Sequence, residues 1–86
     1  MKDTNVVVHL PKKSDEHPIA MLVQIASRFE SRIYMAEGPR KVNAKSIMGM
    51  MALGISNGQE LVISADGTDE EDALKNISAY LTGASA

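Results

Sequence analysis

The 86-residue chain has no cysteine, which removes disulfide scaffolds, thiol catalysis and Cys-rich zinc sites together. It also lacks an excess of basic charge. Nine Lys and Arg stand against eleven Asp and Glu, for a formal charge of −2, so the cation density that phosphate-backbone binding requires is missing and no nucleic-acid partner is expected. No apolar run approaches a membrane span, and the stretch MKDTNVVVHLPKK is too short and too broken by His9 to form a signal-peptide core. The sequence therefore reads as cytoplasmic, without a membrane partner. No nucleophile–base pair and no phosphate-cradling glycine loop appears, and the sequence gives no reason to expect a cofactor. His9 and His17, eight positions apart, do not make a metal site on their own. Aromatics are scarce as well, three against six Met, and Met suits apolar surfaces that must adapt to what they meet.

What remains is ordinary for a globular chain: 44% hydrophobic and 23% charged residues, mixed in sign, over a length that fits one domain spanning 1–86. Asn5 to Leu10 alternates, with Val6, Val8 and Leu10 on one side, and predicts a strand. From Pro18 the period becomes helical, with Ile19, Leu22, Val23, Ala26 and Phe29 as the core stripe. Arg32 to Glu37 and Arg40 to Asn43 form a hairpin broken at Gly38-Pro39. Ser46 is placed to cap a short helix over Ile47 to Leu53 that Gly54 ends. Glu60 to Ala65 is a strand with Leu61, Ile63 and Ala65 inward. Thr68 and Glu71 form a capping box for a last helix whose core residues are Ala73, Leu74, Ile77 and Leu81, and the terminal residues TGASA are expected to fray. The order βαββαβα predicts an α+β open-faced sandwich, a four-stranded antiparallel sheet covered on one face by three helices.

Two segments carry a specific resemblance. KVNAKSIMGMMALGIS, Lys41 to Ser56, resembles the surroundings of the regulatory serine in the HPr family of the bacterial sugar phosphotransferase system, and PIAMLVQIASRF, Pro18 to Phe29, resembles that family's first helix. The family's active loop reads His-Ala-Arg-Pro, whereas this chain reads Asp15-Glu16-His17-Pro18, so the pattern is closest to the Crh-type members that lack the active-site histidine. Such members retain the Arg that is His17 here. An imidazole nitrogen can accept phosphate and pass it on as a labile phosphoramidate, and Asp15 lacks that nitrogen. The resemblance thus implies a regulatory protein of carbon catabolite control that is not itself an enzyme.

It further implies that Ser46 is the acceptor for HPr kinase/phosphorylase, and that Ile47, Met48 and Met51 form an exposed docking patch. Met21 and Ile25, off the first helix's core stripe, extend that patch, and Lys45 lies beside the serine. A catabolite-control transcription regulator is a further implied partner, one that the loss of the loop Arg puts in question. Read from local sequence alone, Ser46 and Asp15 are simply good helix caps, Lys45 a solvated lysine, and most of the residues after Ser46 core. Two other readings remain open: a phosphocarrier acting through His17, and an HPr-fold adaptor for one dedicated partner. The stretch NVVVHLPKKSD leaves open whether the first strand is exchanged between subunits.

Overall fold

In the computed structural model, residues 2–10 and 18–83 are described. The elements are β1 (Lys2–Val7), α1 (Pro18–Ser27), β2 (Arg32–Glu37), β3 (Arg40–Asn43), α2 (Ile47–Leu53), β4 (Glu60–Asp66) and α3 (Glu70–Leu81). The strands form one antiparallel sheet in the order β1-β4-β2-β3. The expected sandwich is the one observed.

Period-two alternation fixes which face of the sheet is covered. Ile33 and Met35 of β2, with Leu61, Ile63 and Ala65 of β4, are essentially inaccessible because the two central strands turn them under the helices. Leu22 and Ala26 of α1, Met50 of α2, and Ala73, Ile77 and Leu81 of α3 meet them from above. Each large apolar side chain removed from water in this way stabilises the fold by about 1.5–3 kcal/mol. On the bare face, Asn5, Val62, Ala36 and Lys41 lie side by side in register across the four strands. Lys41 Nζ rests 4.9 Å from the centroid of the Tyr34 ring, a diagonal cross-strand pair.

Several expectations are corrected. The first strand begins at Lys2 and ends at Val7, so it is set by pairing with β4 and not by its own apolar alternation. Val8 still points into the core, whereas His9 lies beyond the strand and is exposed. The first helix stops at Ser27, and Phe29 packs from the following loop. Ile25 does not extend a surface patch: it is buried, because the stripe drawn through α1 is wider than its inward spacing alone indicated.

The capping box at Thr68 is not formed. The residue at the cap of α3 is Asp69, and its carboxylate makes no cap hydrogen bond to the helix. It turns instead to the α1–β2 loop, where it accepts from the Glu30 and Ser31 amides at 2.8 and 2.9 Å and from the Ser31 hydroxyl. Glu71 is drawn away to Lys2 on β1, and the backward bond is made one position earlier, from the Gly67 amide to Glu70 Oε1 at 3.2 Å. Gly67 permits this closeness, since a Cβ there would sit 2.6 Å from Ser31 Cα.

Candidate functional site

The site grows out of the turn joining β3 to α2. Asn43 Oδ1 accepts from the Lys45 amide at 2.8 Å, and the Asn43 carbonyl accepts from the Ser46 amide at 3.0 Å, an Asx-type turn that stops the strand and aims the chain into the helix. Ser46 then takes the extended conformation of an N-cap, φ −100° and ψ 114°, and its Oγ accepts from the Gly49 amide at 3.2 Å. Its carbonyl accepts the first helical bond, from Met50 N at 2.9 Å. Ser46 is half-buried, with its hydroxyl at the helix end where the amides of Ile47 and Met48 have no intrahelical acceptor. No acidic residue occupies the first turn, so nothing in the helix opposes an anion there.

Gly49 lets this helix lie close to the hairpin: a Cβ at that position would be 3.4 Å from Val42 Cβ. At the other end Gly54 closes the helix at φ +76°, with its amide on the Met50 carbonyl, and the Arg40 guanidinium donates to the Ala52 carbonyl. Clamped at both ends, α2 buries Met50 and Leu53 and turns Ile47, Met48 and Met51 outward, at 49%, 80% and 64% exposure. Met21, on α1, is half-buried.

Lys45 is not a solvated lysine. Its ammonium donates to the Phe29 carbonyl at 2.6 Å, just beyond the C-terminal end of α1, so it ties the turn before Ser46 to the loop that Asp69 also holds. The Ser31 hydroxyl and the two amides hold the Asp69 carboxyl below its ordinary pKa. Lys2 does the same, by hydrogen bond and charge, for exposed Glu71. Asp15 and His17, with Glu16 between them, lie outside the described residues. Among the described residues no cluster of three His, Cys, Asp or Glu could hold a metal, and no helix is long and apolar enough to cross a membrane.

Sequence reasoning did not find Asn57, whose carboxamide is bonded to the backbone of Leu10. The signal was present, since Asn57-Gly58 is a turn dipeptide. It missed the Ser31–Asp69 pairing as well, which no local pattern announces.

A sheet whose described helices lie on one side, and a capped serine opening a short methionine-rich helix, are features the chain shares with the small proteins of the phosphotransferase system that it resembles. The chain belongs to the HPr family, whose profile, described as the PTS HPr component phosphorylation site, matches residues 2–83. It is 42% identical over 81 residues to the HPr-like protein Crh of Bacillus subtilis (strain 168), covering 94% of this chain and 95% of that one. Its fold is similar to that of the phosphocarrier protein HPr from Bacillus anthracis, with a TM-score of 0.85 and 39% identity over 93% of this chain and 95% of the other. It is similar, too, to Crh of Bacillus subtilis solved as a dimer with a swapped domain, with a TM-score of 0.72 and 37% identity over 87% of this chain and 95% of that one.

Proposed function

We propose that this chain is a Crh-like regulatory member of the HPr family, phosphorylated on Ser46 by HPr kinase/phosphorylase and unable to relay phosphate from enzyme I. The observation that carries the reading is the position of Ser46: a half-buried cap whose hydroxyl lies at the start of a helix presenting Ile47, Met48 and Met51 to solvent. A kinase docking on those three residues would have the hydroxyl beside it. The phosphate would meet the amide end of α2 with no acidic side chain in the first turn. The product is a new charge at the edge of an apolar patch, which selects partners carrying a matching Arg or Lys. A catabolite-control transcription regulator is the partner class this reading implies, since a similar structure is that of a catabolite repression protein.

Asp15 stands where the family carries its phosphoacceptor histidine, and its carboxylate offers no ring nitrogen. The test is incubation with HPr kinase and ATP, then separately with enzyme I and phosphoenolpyruvate, reading intact mass after each. Acid-stable phosphate that disappears in Ser46→Ala, with no acid-labile phosphate from enzyme I, is the expected result. Labile phosphate lost on His17→Ala would replace this reading with a phosphocarrier. No modification by either enzyme would leave an adaptor for a dedicated partner.

A further inference from the structure

Asn57 is the one asparagine in the sequence that is followed by glycine. Its carboxamide is bonded at both ends to Leu10, three residues beyond the end of β1. Oδ1 accepts from the Leu10 amide at 2.6 Å, and Nδ2 donates to the Leu10 carbonyl at 3.1 Å. The next amide, of Gly58, donates to the Val8 carbonyl at 2.8 Å, and Val8 N returns a bond to the Gln59 carbonyl at 2.9 Å. Both residues are exposed, and Gly58, at φ +85°, has open space around its missing Cβ. The two groups that react in an Asn-Gly pair, the carboxamide and the following backbone nitrogen, are therefore open to water and unhindered, yet both are held by the stretch Val8 to Leu10.

We propose that Asn57 is a self-modification site, a deamidating asparagine gated by detachment of Val8–Leu10 from the 57–59 turn. The Gly58 nitrogen gives up its proton and attacks Asn57 Cγ. A C–N bond forms, the Cγ–Nδ2 bond breaks, and ammonia leaves. Water then opens the cyclic imide at either carbonyl, giving aspartate or isoaspartate at position 57. One water is consumed and one ammonia released, with no change of oxidation state. While the turn is closed, Gly58 N–H points at Val8 and Nδ2 is engaged with Leu10, so the ring forms only when that stretch lets go.

The product bears on the stretch Val8 to Leu10. A carboxylate has no hydrogen to donate, so the bond to the Leu10 carbonyl is lost and an anionic oxygen faces that carbonyl instead. Leu10 leads directly into residues 11–17, which carry Asp15, Glu16 and His17. Conversion at 57 thus loosens the hold on Val8 to Leu10 irreversibly, without any enzyme and independently of Ser46.

The experiment follows conversion at residue 57 by peptide mass mapping of the purified full chain at mildly alkaline pH. It uses the folded wild type, wild type unfolded in urea, and Val8→Ala, which weakens packing at the end of β1 without touching the reacting atoms. Conversion is expected to be fast in urea and slow in the folded wild type. In folded Val8→Ala it should be on the order of tenfold faster than in wild type, the factor that losing two buried methyl groups corresponds to. Equal rates folded and unfolded, or no acceleration by Val8→Ala, would overturn the gating. If that variant does not fold, sub-denaturing urea on the wild type supplies the same comparison. A second variant, Asn57→Asp, reproduces the product: amide exchange at Val8 and Gly58, whose bonds close the turn without touching the new carboxylate, should quicken, and unchanged exchange there would overturn the proposed consequence.

Discussion

Ser31 and Asp69 show how far one residue's role can lie from its local sequence. Asp69 belongs to an acidic run that reads as a helix start, and Glu70, Glu71 and Asp72 do occupy the first turn of α3. Its own carboxylate nevertheless serves amides 38 and 39 positions earlier, so no reading of the neighbours could have assigned it. The Ser31 hydroxyl, foremost, and then the Glu30 amide hold its pKa below the ordinary value. A carboxyl depressed in the folded state adds stability above the pKa of the unfolded chain and loses it as pH falls through the lower folded value. Melting temperature should therefore fall on acidification below the ordinary carboxylate range, and Asp69→Asn should flatten that fall while lowering stability at neutral pH; thermal denaturation across pH checks both. Ser31→Ala, which removes a fully buried hydroxyl and leaves Asp69 its two amides, should cost about 1 kcal/mol in chemical denaturation. Gly67→Ala should cost more than an ordinary surface change, because the added methyl meets the Ser31 backbone.

The element whose orientation periodicity left open, and the resemblance alone indicated, is α2. Its run Ile47-Met48-Gly49-Met50-Met51-Ala52-Leu53 is apolar nearly all round, so periodicity cannot say which side faces inward. The hairpin makes the choice: Asn43 sets the turn, Gly49 seats against Val42, and Arg40 holds the far end. Met50 and Leu53 then go under, and Met48 and Met51 go out. Met50→Ala should destabilise by about 2–5 kcal/mol through the cavity it leaves, whereas Met48→Ala should stay within about 0.5 kcal/mol. Urea unfolding of the two variants separates a buried position from an exposed one of the same chemistry. The boundaries of β2, β3 and α2 were legible because glycine, proline and serine punctuate them. Those of β1 were not, because Lys2 to Thr4 join the sheet through pairing with Ala65, Ser64 and Ile63 and not through any apolar pattern of their own.

For the molecule as a whole, the sandwich could be read from the order of periods, since each strand and helix buries one face and only a layered arrangement accommodates them all. The candidate serine was legible through resemblance, its bonding only through the structure. On the proposed function, phosphorylation of Ser46 changes charge and not shape. A dianion at this helix start is worth about 0.3–1 kcal/mol, so the melting temperature should move by no more than about 8 °C and amide NMR shifts should stay near residues 43–51. Shifts spread through all four strands would contradict this. The strand order also dictates a history for the chain as it leaves the ribosome. β4 is central, flanked by β1 and β2, yet it is the last strand to be made. Until Glu60 to Asp66 emerge, the first strand waits without a neighbour and only the β2–β3 hairpin can pair, so the sheet closes in one late step once synthesis has passed Asp66.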